Sequence, residues 1–123
     1  MNLEDLYNNY ALNDGEILSI NVDFLDFTCS VRLLVRKTIS QKVFRKCEIE
    51  LLFNRVTNIE ISEDFRTQGA YSDITLTKKN DSNFYLSLDP YCNKNEPQEN
   101  DNIVVVSNLL KLKFNKGEYF EIS

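Results

Sequence analysis

The pattern of apolar and polar positions divides the chain into a short helical start followed by β-strands. Near the N-terminus, apolar side chains recur at the i, i+3, i+4, i+7 spacing of one helix face, at Leu3, Leu6, Tyr7 and Tyr10. Asn2 stands where an N-cap is expected, and Glu4 and Asp5 place negative charge in the first turn, which the helix dipole favours. The sequence therefore predicts a helix of about two turns.

The apolar period changes to that of a strand after residues 13–15, Asn-Asp-Gly, which are typical turn residues. A first strand is indicated by apolar residues at even positions, namely Leu18, Ile20, Val22 and Phe24. Near Leu25 and Asp26 the phase flips, and the apolar residues then occupy odd positions, at Phe27, Cys29, Val31, Leu33 and Val35. A hairpin with Asp26 in its turn would produce this flip, and so would one continuous strand with a bulge.

Two further strands are predicted before residue 65. Residues 37–41 are interpreted as a turn, and a third strand follows with apolar residues at Cys47, Ile49, Leu51 and Phe53. A kink near Asn54 and Arg55 then leads to a short fourth strand that contains Val56, Ile59 and Ile61. Residues 65–72 show no regular period and are expected to be irregular.

The second half of the chain continues this pattern. Residues 74–76 and 84–88 alternate around a polar loop at 78–83 and are expected to form a hairpin. Residues 93–102 form the longest polar loop, which we expect to be mobile. Residues 103–106 are apolar on both faces and predict a central or doubly covered strand. The pattern ends with a strand at 110–114, a turn at 116–117 and an edge strand at 119–122.

Together these segments predict a mainly β fold, an antiparallel two-layer sandwich or partly closed barrel of about 8–9 short strands with a short N-terminal helix. Parallel architecture is excluded because no crossover helices separate the strands. The helix and residues 65–72 are expected to cover one opening or edge of the sheet. The 123 residues match the size of one domain, so residues 1–123 are expected to form a single domain.

Composition argues against the standard catalytic sites. The chain has no histidine, which removes the commonest general base and the usual zinc ligand. Its three glycines cannot supply the glycine-rich motifs that hold nucleotide phosphates. Cys29, Cys47 and Cys92 lack metal-binding spacing and are expected to be buried free thiols. We therefore expect no enzyme activity, no metal and no cofactor.

Charge is distributed unevenly along the chain, whose net charge is −5. Residues 1–31 hold six acids and no base, namely Glu4, Asp5, Asp14, Glu16, Asp23 and Asp26. Residues 32–46 hold six bases and no acid, namely Arg32, Arg36, Lys37, Lys42, Arg45 and Lys46. If the two segments lie side by side their fields largely cancel, whereas if they face apart the molecule is bipolar.

Two charged clusters are candidates for a site. Asp14 and Glu16 flank Gly15 and could bind a cation or act as acid and base, although Asp-Gly before a strand is also ordinary turn chemistry. The basic stretch 32–46, with Phe44 inside it, has the cations and the stacking platform of a nucleic-acid surface. It also fits a solvated hairpin face or a protein-binding patch, and the pI near 4.7 opposes a nucleic-acid partner.

Three tyrosines and the start of the chain bear on partners and location. Tyr71, Tyr85 and Tyr91 fall near predicted loops or on polar phases, so they are expected to be exposed and to suit a protein interface. The first residues lack the features of a secretory signal, and no stretch is long and apolar enough to span a membrane. A cytoplasmic location is therefore expected.

Three segments carry a resemblance to a known group of proteins. Residues 12–20 (LNDGEILSI), 52–61 (LFNRVTNIEI) and 102–110 (NIVVVSNLL) resemble strands of a group of small bacterial β-rich proteins. Some members of that group are immunity proteins of contact-dependent or polymorphic toxin systems. Asn13 stands where the group usually has histidine. The resemblance implies a β-rich fold and a protein partner.

These observations lead to the hypothesis of a non-catalytic protein-binding domain, an immunity or inhibitor protein against a bacterial toxin. A rigid sheet that displays carboxylates can occupy the phosphate-binding cleft of a basic toxin domain. The predicted partner-binding residues are Glu4, Asp5, Asp14, Glu16, Asp23 and Asp26. Neither a nucleic-acid nor a membrane partner is expected. Two alternatives remain open, a small-ligand or lipid-binding β-barrel with a functional interior and a hydrolase that uses Asp14 and Glu16.

Overall fold

A computed structural model describes residues 1–41, 43–60, 71–72, 74–89, 95–99, 101–115 and 117–123, with the backbone alone at Asn13, Asp14, Tyr71, Ser72, Asp89 and Asn102. These residues contain one helix, α1 (Leu3–Asn9). They also contain eight strands: β1 (Tyr10–Asp23), β2 (Thr28–Ser40), β3 (Val43–Glu60), β4 (Tyr71–Ser72), β5 (Thr75–Asn80), β6 (Asn83–Asp89), β7 (Asn102–Phe114) and β8 (Phe120–Glu121).

The strands form one antiparallel sheet in the order β4-β1-β2-β3-β7-β6-β5, and β8 pairs with β7 beside this path. The sheet is not closed into a barrel. The prediction of a mainly β, antiparallel fold with a short N-terminal helix is confirmed. Several strands are longer than the short strands expected, since β3 alone spans 18 residues.

Helix α1 begins with the predicted cap. The Oδ1 atom of Asn2 accepts a hydrogen bond of 2.8 Å from the backbone N–H of Asp5, whose Oδ2 accepts one of 3.0 Å from the N–H of Asn2. This reciprocal capping box satisfies two N–H groups that the helix itself leaves without partners. Leu6 is fully buried, so a helix of seven residues is held by both its cap and its packing.

Helix α1 joins β1 and β5, which lie near opposite ends of the strand order. It leads directly into β1, and the hydroxyl of Tyr7 donates a hydrogen bond of 2.7 Å to the backbone carbonyl of Leu76 in β5, at the other end of the strand order. The Leu76 N–H donates to the Oδ1 of Asn95 at 2.9 Å, so side chains satisfy the edge of β5 at this point. The expected edge coverage by the helix is confirmed. The same role was expected of residues 65–72: residues 65–70 lie outside the described residues, whereas 71–72, expected to be irregular, form β4 and pair with β1.

The main core lies on one face of the central strands. Cross-strand register places Leu33 opposite Ile49 and Val31 opposite Leu51, and all four side chains are fully buried. A smaller cluster on β6 and β7 consists of Tyr85, Val104 and Val106, separate from the main core. Because Ile103 and Val105 belong to the main core, residues 103–106 are buried on both faces, as predicted.

The first hairpin is confirmed, but the predicted turn at residues 13–15 is wrong. β1 ends at Asp23, and this residue pairs with Thr28 at the start of β2. β1 runs through Gly15, and its pairing with β2 shifts register between Ala11 and Glu16. A Cβ atom at Gly15 would lie 2.8 Å from the carbonyl oxygen of Leu12, so the close backbone approach in this irregularity requires glycine.

The second hairpin and the fourth strand also differ from the prediction. β2 continues to Ser40 and β3 begins at Val43, so residues 37–40, predicted as a turn, are strand. Val56 and Ile59 belong to β3, which is continuous to Glu60. The predicted kink is present, because Arg55 has a φ of 53° and the pairing with β7 shifts register just after it. Strand hydrogen bonding resumes beyond the kink, which the local pattern could not show.

Candidate interaction surfaces

The turn between β1 and β2, residues 24–27, presents large apolar side chains to solvent. Phe24, Leu25 and Phe27 are 78, 90 and 63% exposed. We refer to this segment as the apolar turn. The sequence pattern assigns Phe24 and Phe27 to the apolar faces of strands, but both residues follow or precede the strand itself. Three large apolar side chains within four residues at such exposure make the turn a candidate interaction surface.

The backbone of the apolar turn is held by specific hydrogen bonds. The Oδ1 atom of Asp23 accepts bonds of 2.9 Å from the Leu25 N–H and 3.2 Å from the Asp26 N–H. The carbonyl oxygen of Phe27, whose φ is 55°, accepts a bond of 2.9 Å from the Val56 N–H in β3. Because the turn is anchored from within and from β3, its exposed side chains are displayed from a fixed backbone.

A shallow groove of about 220 Å³ adjoins the apolar turn. Its walls include the apolar residues Val22, Phe24, Phe27, Val56 and Ile59. Exposed charges around it have both signs, with Asp23 and Asp26 on the turn and Arg55 at the kink of β3. The groove and the turn together form a surface on which apolar contact area is bordered by charge, as at protein–protein interfaces.

The predicted partner-binding acids whose side chains are described are spread over α1, β1 and the turn after it. Glu4 and the capping residue Asp5 lie exposed in the first turn of α1. Glu16 lies in β1 opposite Leu34 and Tyr71. Asp23 and Asp26 adjoin the apolar turn, and Asp23 is seven residues, or about 23 Å, along the strand from Glu16.

The predicted cation or acid–base pair of Asp14 and Glu16 includes a side chain, that of Asp14, outside the described residues. Of the five acids with described side chains, Asp23 and Asp26 adjoin the exposed apolar surface.

Residues 36–41 and 43–46 form a second surface, which we call the basic arm. Pairing of β2 with β1 ends at Lys37, and pairing of β3 with β7 begins at Ile49. Within the described part of the chain, residues 38–40 and 43–46 therefore pair only with each other and project as a two-stranded ribbon. Ile39, Val43 and Phe44 are 51, 49 and 50% exposed on it.

Like charges face each other across the basic arm. The register pairs Arg36 with Lys46 and Lys37 with Arg45. Directly opposed like charges destabilise a strand pair. Part of the cost is offset by rings, since the Arg36 guanidinium lies 5.5 Å from the centroid of Phe44 and the Lys37 ammonium 5.9 Å from that of Tyr10.

In the central strands of the same sheet, by contrast, side chains of opposite charge lie beside each other. Arg32 forms an ion pair of 2.8 Å with Glu48, and Lys113 lies 3.9 Å from Glu50. The apolar turn and the basic arm lie at the two ends of β2, whose 13 residues span about 40 Å. Asp23 and Asp26 therefore lie at the opposite end of β2 from the cations of the arm, whereas β1 begins beside the arm, with Tyr10 opposite Lys37.

Tyr85 was expected to be exposed, and this prediction is wrong. It is only 5% exposed, and its hydroxyl donates a hydrogen bond of 2.6 Å to the Oδ2 of the buried Asp101. Asp101 also accepts 3.0 Å from the Gln98 N–H. Burial, followed by the bond to Asp101, raises the pKa of Tyr85 above its ordinary value. The side chains of Tyr71 and Tyr91, predicted to be exposed as well, are outside the described residues.

A cleft of about 420 Å³ lies beside Tyr85 and Asp101. Its lining mixes carboxylates with the apolar residues of the smaller cluster, and it includes Glu60, Lys79 and Glu99. Since Asp101 is already bonded twice, the cleft does not present a bare buried charge to a ligand. It lies by the smaller cluster rather than inside a barrel.

The two described cysteines, Cys29 and Cys47, belong to the main core. Cys29 and Cys47 are buried free thiols, as predicted, whereas Cys92 is outside the described residues. Burial raises the pKa of the Cys29 thiol to about 11, which keeps it protonated and unreactive. In the part of the chain that the structure describes, no three His, Cys, Asp or Glu side chains are grouped so as to hold a metal ion.

Comparison with known proteins finds no matching family model, no similar curated protein and no similar solved structure. The resemblance to bacterial immunity proteins therefore stays a prediction. Among the described residues, the only helix, α1, is far too short to cross a membrane.

Sequence reasoning missed the apolar turn as a candidate interaction surface. The signal was present, because residues 23–27 read Asp-Phe-Leu-Asp-Phe and place three large apolar residues around a predicted reversal of the chain. Turns are usually polar, so such a composition needs either burial or a partner.

Proposed function

We propose that the chain is a non-catalytic protein-binding domain that contacts its partner through the apolar turn. The observation that carries the proposal is the exposure of Phe24, Leu25 and Phe27 on a hydrogen-bonded hairpin. Full burial of such a side chain stabilises a complex by about 1.5–3 kcal/mol. A turn that is already held in shape loses little conformational entropy when it binds.

Charge favours a partner whose binding site is apolar with a basic rim. Asp23 and Asp26 flank the apolar side chains and would steer and orient such a partner. The contribution of Glu4, Asp5, Asp14 and Glu16 stays a prediction. With the resemblance noted above, we propose an immunity or inhibitor protein that acts in the cytoplasm on a basic toxin domain.

The ligand-binding alternative receives less support. Its physical basis was the interior of a barrel, but the sheet is not closed into one, and the main core is filled by buried side chains such as Leu33, Leu51 and Phe53. The two described clefts lie by the apolar turn and by the smaller cluster. We therefore do not propose a ligand-binding function.

A direct test uses the product of the gene beside the one that encodes this chain. Co-expression should relieve any growth defect that this product causes, and the two proteins should co-purify. Hydrogen exchange of the complex should then show protection at the amides of residues 22–28. Leu25→Asp should abolish the relief of the growth defect. Tyr119→Asp, which introduces the same charge at another exposed apolar side chain, should not. A complex that protects other strands and tolerates Leu25→Asp would contradict the proposal.

A further inference from the structure

The basic arm has a structure that folding alone does not explain. Two consecutive cross-strand pairs, Arg36 with Lys46 and Lys37 with Arg45, oppose like charges, whereas Arg32 and Glu48 of the same strand pair form an ion pair. Repulsion between Lys37 and Arg45 weakens the ribbon, and an anionic surface bound to it would relieve that repulsion. The arrangement therefore stabilises a complex more than it stabilises the free chain.

The cations lie on both faces of the ribbon. Lys37 and Arg45 continue the phase of the buried residues Val35 and Cys47, whereas Arg36 and Lys46 lie on the opposite face. Between these pairs and the end of the arm, Ile39 and Val43 expose about half of their surface. A binding site for the arm must therefore combine acidic groups with apolar contacts and enclose the ribbon from two sides.

This combination argues against three other occupants. Edge pairing with a second arm would set cations against cations. A bilayer is disfavoured because the polar residues Ser40 and Gln41, at the described end of the ribbon, would enter the apolar region first. Nucleic acid is disfavoured by the net charge of −5 and because the ring of Phe44 already carries the Arg36 guanidinium on one face.

We propose that the basic arm is a second interaction surface, which docks end-on into an acidic cleft of a protein partner. It is independent of the apolar turn, because Arg36, where the arm begins, lies about 30 Å along β2 from Phe27. The arm can thus engage either a distant acidic region of the partner or another protein.

The test uses the full-length, ¹⁵N-labelled chain and poly-L-glutamate as the probe. Amide shifts should concentrate in residues 36–46. They should saturate at a lower concentration of negative charge with poly-L-glutamate than with a DNA duplex or with vesicles containing phosphatidylserine. The variant Arg45→Glu/Lys46→Glu should weaken binding about tenfold, a loss equivalent to about 1.4 kcal/mol. This variant sets opposite charges across the arm, so it should remain folded.

The matched control is Lys78→Glu/Lys79→Glu, which changes the net charge equally at the exposed end of β5. It should change the affinity less than about twofold, well below the tenfold loss expected for the arm variant. Equal losses in the two variants, or shifts spread over all lysines, would show charge attraction without a site and overturn the proposal. Tighter binding of the arm to DNA or to the vesicles would overturn it as well, as would the lack of shifts in the arm.

Discussion

The hydroxyl of Tyr7 and the backbone carbonyl of Leu76 are 2.7 Å apart, and this hydrogen bond joins α1 to the far edge of the sheet. Tyr7 and Leu76 are separated by 69 residues in sequence, so the contact connects the start of the chain to β5, the last strand at one end of the sheet. The Oδ1 atom of Asn95 lies 3.0 Å from the same hydroxyl and accepts a hydrogen bond of 2.9 Å from the Leu76 N–H. The result is a curled sheet whose two sides are linked by a helix of only seven residues.

Removing this hydroxyl should destabilise the protein without unfolding it. In Tyr7→Phe the ring still packs against the core, but the Leu76 carbonyl loses its donor. We expect the free energy of unfolding to fall by about 1–3 kcal/mol, the cost of a partly buried polar group left without its partner. Urea denaturation measures this change. Tyr119→Phe, at an exposed ring, is the control and should change stability little.

Stability should also fall at alkaline pH through the same residue. Burial raises the pKa of Tyr7 from 10.0 to about 12, although its hydrogen bonds to Leu76 and Asn95 partly oppose the shift. Above pH 10 the unfolded chain loses this proton while the folded chain keeps it, so the stabilisation is complete below pH 10 and is lost as pH rises through about 12. The loss amounts to about 2–3 kcal/mol.

Tyr7→Phe should therefore lose less stability than the wild type between pH 10 and 12. Identical slopes in the two proteins would contradict this assignment. Tyrosinate absorbance gives a second measure, because Tyr7 and Tyr85 should ionise after the exposed tyrosines.

Gly15→Ala should destabilise β1. The added Cβ would lie 2.8 Å from the Leu12 carbonyl oxygen and 3.3 Å from that of Leu34, and backbone atoms cannot move aside cheaply. A loss of about 1–3 kcal/mol in thermal or urea unfolding is expected. Gly117→Ala, with a contact of 3.1 Å in an exposed turn, should cost less. If both substitutions cost the same, the close approach at Gly15 is not what requires glycine.

Reversing one charge on the basic arm should make the free protein more stable. Arg45→Glu converts the like-charge pair with Lys37 into an opposite-charge pair, with an expected gain of about 0.2–1 kcal/mol in unfolding experiments. The gain should shrink at high salt because the charges are exposed. Arg32→Glu is the converse control, since it breaks the ion pair with Glu48 and should destabilise. A loss of stability in Arg45→Glu would refute the cross-strand repulsion.

Local pattern predicted the elements whose side chains follow one period without interruption. The α1 cap, the hairpin after Asp23 and the burial of residues 103–106 on both faces follow from the spacing of apolar residues and from turn chemistry. The same pattern misplaced the ends of strands. Residues 37–40 look polar enough for a turn, yet backbone pairing with β3 continues through them, and that pairing carries no side-chain signature.

The candidate surfaces depend on pairing between distant segments and were less predictable. Phase alone assigns Phe24 to an apolar face, whereas its exposure depends on where β1 ends. The repulsive pairs of the arm require the register between β2 and β3. The burial of Tyr85 depends on Asp101, which lies 16 residues away in a loop. Sequence therefore indicated the charges, and the topology separated them into two surfaces.

The affinity of a Leu25→Asp variant tests the central claim most directly. Isothermal titration calorimetry of the co-purified partner against the wild type, Leu25→Asp and Tyr119→Asp gives three dissociation constants for chains whose folding can be checked by circular dichroism. We expect the dissociation constant of Leu25→Asp to rise at least about 30-fold, the effect of losing a hot-spot residue worth about 2 kcal/mol. Tyr119→Asp should bind with the affinity of the wild type. Unchanged affinity in the Leu25→Asp variant would contradict the apolar turn as the contact surface.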